Sequence, residues 1–233
     1  MSADTYRTAF IVGVGSGLSA SLARLLRSAG LQVALGARDI DKLASLASEI
    51  GALTVRTDAT QPASVAAAFQ HVDRELGAPD VVIYNASARL RGPFVDLDPA
   101  AVQAALSLSA FGGFLVAQEA ARRMLERQYG AILLTGASAS VKGYAQSAPF
   151  AMGKFALRGL AQSIARELAP RGIHVAHFVI DGGIRSAARP VPEGSADSLL
   201  DPDAIARTYL HVLRQDRSAW TWEVELRPWV ERF

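Results

Sequence analysis

The run Val12-Gly13-Val14-Gly15-Ser16-Gly17-Leu18-Ser19 follows a short apolar block and opens a segment with helical spacing. Residues of these types in this order suit a pyrophosphate. One glycine permits a tight turn, and another lets the anion approach the backbone. The helix that follows offers free N–H groups and a partial positive charge at its N-terminus. Gly13, Gly15, Ser16, Gly17 and Leu18 therefore form a candidate dinucleotide phosphate loop. A second chemical position closes the next apolar block, which ends Leu35-Gly36-Ala37-Arg38. An acidic residue there would accept hydrogen bonds from a ribose 2′-OH and repel a 2′-phosphate. Ala37 and Arg38 favour the phosphate, because a guanidinium suits it by charge and by fork geometry. NADP(H) is the cofactor these residues imply.

The elements that must position these groups alternate strictly. Short runs rich in β-branched residues predict strands at Ala9–Val14, Leu31–Leu35, Leu53–Arg56, Val81–Tyr84, Ala131–Thr135, His174–Ile180 and Trp222–Arg227. Helical spacing covers Leu18–Ala29, Ile40–Ile50, Ala63–Leu76, a long stretch from about Pro99 to Arg127, Phe150–Leu168 and Asp203–Leu213. Continuous apolar strands alternating with helices predict parallel pairing through right-handed crossovers. The expected architecture is one α/β domain over residues 1–233, a Rossmann-like doubly wound sheet. The irregular piece from Ile184 to Leu200, with two prolines and a glycine, reads as a lid over the bound ligand.

Composition narrows the function. The 233 residues are 50% apolar, with a formal net charge of +2 and no block of Lys or Arg, so no nucleic-acid patch is indicated. With no cysteine, disulfides and thiolate metal sites are excluded. His71, His174, His177 and His211 do not cluster, and His174 and His177 fall on opposite faces of a strand, so no metal is expected. The polar start, Met1 to Thr8, does not read as a signal peptide, and no apolar stretch is expected to reach the ~18 residues of a membrane span. A cytoplasmic protein without membrane or nucleic-acid partners is expected.

The order of motifs resembles the short-chain dehydrogenase/reductase family along nearly the whole chain. That family opens with Thr-Gly-x-x-x-Gly-x-Gly. Gly13 and Gly17 match its first two glycines, while Val12 and Ser19 stand for the threonine and the third glycine. Thr57-Asp58-Ala59 resembles the pair that contacts adenine. Tyr84-Asn85-Ala86-Ser87 is similar to Asn-Asn-Ala-Gly, and Asp181-Gly182-Gly183-Ile184-Arg185-Ser186 to the Pro-Gly-x-Val-x-Thr at the nicotinamide end. The segment from Gly159 to Val175 is similar to the family's most recognisable helix–strand unit. The resemblance implies strand order 3-2-1-4-5-6-7. It places the cofactor across the strand ends against Asp58, Ala59, Asn85, Ala86, Ser87, Lys154, Asp181, Gly182 and Ile184.

The resemblance breaks at the chemistry. The family site has Asn, Ser, Tyr and Lys, with tyrosine and lysine four apart on one helix. Here that pair reads Phe150 and Lys154. Ungapped alignment puts Ala137 at the serine position, with Ser138 one residue off, and Ser109 at the asparagine position. Phenylalanine transfers no proton, and a positioned general acid contributes about 10²–10⁴-fold. Two functions stay open. One is an oxidoreductase acting on a small carbonyl or conjugated substrate, with Lys154, Ser138 and Tyr144 as candidate catalytic groups. The other is a non-catalytic NADP(H)-binding sensor or scaffold.

Other residues carry expectations too. Asp181 reads as a loop cap, with a proton relay as the alternative. Arg122, Arg123, Glu126 and Arg127 read as a solvated helix face. The aromatic segment Trp220–Trp229 reads as an edge strand packed on the core or on a neighbouring subunit. The stretch from about Ser109 to Arg127 and the Phe150 helix hold more apolar and small residues than one sheet face can cover. In the resembled family these helices pair subunits, so a homodimer or homotetramer is expected.

Overall fold

The computed structural model describes residues 6–186, 188–195 and 197–231. Seven parallel strands form one sheet in the order β3-β2-β1-β4-β5-β6-β7. They are β1 (Thr8–Val12), β2 (Gln32–Ala37), β3 (Leu53–Arg56), β4 (Val81–Tyr84), β5 (Gly130–Thr135), β6 (Ile173–Ile180) and β7 (Glu223–Leu226). Every residue of β1, β4, β5 and β6 is buried, which is why these strands read as unbroken apolar blocks.

Helices cover both faces. On one side α1 (Leu18–Ser28), α2 (Ala44–Ile50) and α7 (Pro202–Leu213) pack around Ile11, Leu35, Ile83 and Phe178. On the other, α3 (Pro62–Leu76), α5 (Gly112–Arg127) and α6 (Ala148–Leu168) pack around Phe10, Val82, Ile132 and Val175. Two helix starts follow from sequence chemistry. Asp98 accepts from the backbone of Ala100 and Ala101 before α4 (Pro99–Leu106), and Asp201 accepts from Asp203 before α7, each with proline at the first helical position.

The structure adjusts several expectations. The segment Ile40–Ile50 begins as a tighter turn, Asp41–Leu43, before α2. The long helix is interrupted by one π-turn, Ser107–Phe111, between α4 and α5. There the Tyr84 hydroxyl donates to the Leu108 carbonyl, and Gly153 lets α6 close on the turn: a Cβ on it would lie 2.7 Å from that of Ser109. Such bulges occur frequently at functional sites.

The expectation that no apolar stretch reaches membrane-spanning length is corrected. The helical run Pro99–Arg127, 29 residues, holds an 18-residue window of mean hydropathy 1.7 and is long and apolar enough to cross a membrane by length and composition. In the structure 39% of that window is buried; within α5, Gly112, Gly113, Ala117 and Ala120 are buried where the helix packs on β4 and β5. The solvated-face expectation is corrected for two residues as well. Arg123 sits between Asp73 (2.8 Å) and Glu119 (2.7 Å), with its guanidinium over Phe69. Arg127 pairs with Asp80 at 2.7 Å, and that carboxylate also accepts from the backbone of Arg7 and Thr8. Both arginines tie α5 to neighbouring elements, which helical spacing alone could not reveal.

The segment after β6 is partly ordered by backbone pairing. Ile184 bridges Leu200 and Ser186 bridges Arg189. Trp220–Trp229 contains the edge strand β7, with Trp220 stacked on His174 at 4.6 Å.

Candidate active site

The carboxyl ends of β1, β2 and β4 open onto a cavity of about 800 Å³. Gly13, Gly15, Ser16, Arg38, Ala59, Asn85, Ala86 and Ser87, all named from sequence, line it. Gly13 has φ +88°, and a Cβ on it would drive into the backbone of Ala86, so this glycine lets the β1 and β4 loops meet. Gly15 and Gly17 have open space where a side chain would stand, at the start of α1. The departure at the third glycine is accommodated: the Ser19 hydroxyl donates to the Gly13 carbonyl (3.1 Å) and accepts from Asn85 Nδ2 (2.6 Å). Leu18 is buried in the first turn of α1. Asp58 turns toward its own loop, where Oδ1 accepts from the backbone and hydroxyl of Thr60, and these bonds hold its carboxyl below the usual range.

The Arg38 side chain is exposed at the cavity, and its carbonyl accepts from Arg56 at 2.9 Å. Three more charged residues, Arg24, Asp39 and Lys42, line the same cavity and escaped the sequence reading. Lys42 lies 3.1 Å from Asp39 and lowers its pKa by hydrogen bonding, which engages the carboxylate next to Arg38 in the chain.

At the other end of the site, Lys154 is 3% exposed. Its ammonium donates to the Thr135 carbonyl at 2.7 Å, and burial pushes its pKa down to about 8. Phe150, one turn earlier on α6, has its ring 6.0 Å from Lys154 Nζ. The Ser109 hydroxyl accepts from the Ala88 backbone at 3.2 Å. Ser138 opens a short turn, and Tyr144 is 49% exposed on the loop beyond it. The structure thus joins Lys154 with Phe150, while the Ser138 and Tyr144 hydroxyls make no hydrogen bond within the described residues.

Asp181 is not a loop cap, which corrects the first of the two sequence expectations for it. Its buried carboxylate pairs with Lys142 Nζ at 2.9 Å, and this bond raises the lysine pKa. Lys142 gave no periodic signal, because the pair forms only when the loop after β5 folds against the end of β6. Gly182 (φ +150°) packs against Pro228, and Ile184 pairs with Leu200.

Sequence reasoning also missed a buried relay beneath this loop. Glu223 lies beside His177 in the β6–β7 register and 3.0 Å from its Nδ1, and it takes a two-pronged bond from Arg158 (2.6 and 2.7 Å). Burial drives the His177 pKa down to about 4, so the ring is neutral. A carboxylate only accepts, so Nδ1 carries the proton and Nε2 accepts from Ser140 Oγ at 3.3 Å. Ser140 in turn accepts from the Ala137 backbone at 3.1 Å, which holds the turn from Ala137 to Ser140 at the end of β5.

The family model described as short chain dehydrogenase matches residues 7–189. The chain belongs to the short-chain dehydrogenase family. A short-chain dehydrogenase from Rhodopseudomonas palustris superposes with TM-score 0.83 at 34% identity, over 96% of this chain and 99% of that one. A metagenomic short-chain oxidoreductase in complex with NADP gives TM-score 0.82 at 26% identity, over 95% and 97%. The cis-4-hydroxycyclohexanecarboxylate dehydrogenase of Sinomonas cyclohexanicum is 34% identical over 174 residues, 72% of this chain and 70% of its own. The cavity-lining groups of this short-chain dehydrogenase gather at the carboxyl ends of the strands.

Two titrations of this site have opposite uses. A pKa lowered by folding means the native state binds fewer protons than the unfolded one, so stability rises with pH across the interval between the two values. For Lys154 that interval runs from about 8 up to 10.5, and the cost is fully present at pH 7. Lys154→Met is expected to raise stability at pH 7 by about 1–2 kcal/mol, the desolvation relief less one lost hydrogen bond. Urea melts measure this, and a loss of stability would show that the ammonium stabilises the fold. For His177 the interval runs from 6.5 down to about 4. Between pH 7 and pH 5 this residue is expected to take about 2 kcal/mol from the wild type, and His177→Gln should lose correspondingly less. Equal losses in both proteins would refute the buried neutral imidazole.

Proposed function

We propose that this short-chain dehydrogenase is an NADP(H)-dependent oxidoreductase acting on a small carbonyl or conjugated substrate through an altered catalytic set. The observation that carries this reading is Lys154. Its ammonium is buried, with the Thr135 carbonyl as its hydrogen-bond partner and the Phe150 ring 6.0 Å away, and a buried, desolvated titratable group of this kind is a functional-site candidate. The cavity fits a dinucleotide. Gly15 and Gly17 leave the start of α1 open, where a pyrophosphate would be received, and Arg38 lines the cavity, where its guanidinium would pair with a 2′-phosphate. When bound, the nicotinamide supplies or takes a hydride.

The residues of this chain would do the rest. Lys154 would hold the nicotinamide ribose hydroxyls and lend positive charge to the site. Gly182 and Ile184 would border the nicotinamide. Phe150 offers no proton, so the proton at the substrate oxygen or carbon must come from another donor. Tyr144 and Ser138 are the candidate donors. The missing acid corresponds to roughly 3–5 kcal/mol of transition-state stabilisation for ordinary carbonyl reduction. A conjugated acceptor needs less help, because charge forms at a distance from the carbon that takes the hydride.

The working unit in this reading is a homodimer or homotetramer in the cytoplasm. Phe111, Phe114, Met152 and Phe155, from the π-turn, α5 and α6, are between 40% and 51% exposed, an apolar surface that a second copy would cover.

Two measurements test the proposal. Charge-assisted bonds from Arg38 are worth about 1.5–3 kcal/mol, or roughly 10–100-fold in affinity. NADPH should bind tighter than NADH by that factor, and Arg38→Ala should remove most of the difference. Equal wild-type affinities would end the assignment. Separately, Phe150→Tyr alone should give little carbonyl reduction, because Ala137 offers no hydroxyl, whereas Ala137→Ser with Phe150→Tyr should give clearly more. A vigorous single variant would mean that Ser138 already serves as the orienting serine.

A further inference from the structure

A closed ring of hydrogen bonds starts and ends on α6. Lys154 donates to the Thr135 carbonyl at 2.7 Å. Two residues further along the chain, the Ala137 backbone donates to Ser140 Oγ at 3.1 Å. Ser140 donates to His177 Nε2 (3.3 Å), and His177 Nδ1 donates to Glu223 (3.0 Å). Glu223 accepts both prongs of Arg158, at 2.6 and 2.7 Å. Arg158 lies four residues after Lys154 on the same helix, so the two side chains leave one face of α6. The ring therefore joins α6 to the end of β5, to β6 and to β7.

Its inner part is closed to any further atom. Ser140 and His177 are fully buried, as Lys154 is almost. Gly136 sits between them: a Cβ on it would lie 2.3 Å from His177 Nε2 and 2.7 Å from Ser140 Oγ. Its N–H donates to the Phe178 carbonyl at 2.7 Å, beside His177. The charged groups that face His177 are Glu223 from β7 and Lys154 and Arg158 from α6. A buried polar group that loses its partner is left unsatisfied, and a fully satisfied buried network fixes geometry for that reason.

We propose that Ser140, His177, Glu223 and Arg158 are positioning residues for Lys154: the closed ring sets how α6 seats on the end of β5, and so holds the Lys154 ammonium on the Thr135 carbonyl and away from water. The same ring fixes the turn that carries Ala137 and Ser138. The four residues act through Lys154 and this turn rather than on a ligand. This deepens the functional reading above and rests on it for what Lys154 would hold.

The test reads the Lys154 ammonium itself, in the full-length protein without cofactor. The chain has three lysines, Lys42, Lys142 and Lys154, of which Lys154 alone is buried. Lysine labelled with carbon-13 at Cε gives an NMR signal for each, and the one missing from Lys154→Met is assigned to Lys154. Burial lowers its wild-type pKa to about 8. Ser140→Ala and His177→Leu each cut the ring and change no charge over the pH range of this titration. Each should admit water to the ammonium and raise its midpoint by about 0.5 pH unit or more, toward the ordinary lysine value. Ser140→Ala removes a single oxygen and decides the matter alone if His177→Leu does not fold. Val72→Ala, which thins the core on α3 outside the ring, should leave the midpoint where it is. A smaller rise or a fall in Ser140→Ala overturns the proposal. An equal rise in Val72→Ala also overturns it, because general loosening of the core would then account for the effect. Calorimetry with NADPH tests the functional reading separately. A wild type that does not bind NADPH removes that reading, while the lysine titration still decides whether the ring positions Lys154.

Discussion

Parallel pairing of all seven strands is the constraint from which the rest of the molecule follows. A parallel sheet needs a crossover between neighbouring strands, and the crossovers here are helices, so both faces are covered. Polar chemistry cannot sit on a face buried in this way. It is pushed to the carboxyl edge, where the strands end and the chain turns into loops. The order reverses between β1 and β4, and there the two loops diverge to leave the large cavity. Gly13 is the point of closest approach, since any side chain on it would collide with Ala86 and force the β1 and β4 loops apart.

The groups at that edge are held by opposite means. His177 is kept neutral by burial, and its tautomer is fixed by Glu223, so it braces the turn at Ala137–Ser140 without introducing a charge. Lys154 is buried as well, but its ammonium has a single carbonyl partner. The first arrangement satisfies its polar atoms through a chain of partners that ends at the half-buried Arg158. The second leaves an ammonium whose remaining donors need partners a ligand could provide.

By itself the sequence determined the strand–helix alternation, the glycine-rich turn after β1 and the absence of an acid at Ala37, because each depends on local periodicity or on the chemistry of a few adjacent residues. The same locality explains why Lys154 and Phe150 could be paired in advance: residues four apart on a helix must share a face. Only the tertiary structure decided which charges meet. Lys142 with Asp181, Arg127 with Asp80, Ser140 with His177 and Glu223, and Arg89 with Phe150 are each separated by tens of residues, and no spacing rule links them. Their encounter depends on loop paths at the carboxyl edge, which are set by how the helices seat on the sheet. An arginine has the same identity in every context, and whether it is satisfied depends on the carboxylates that packing brings within reach.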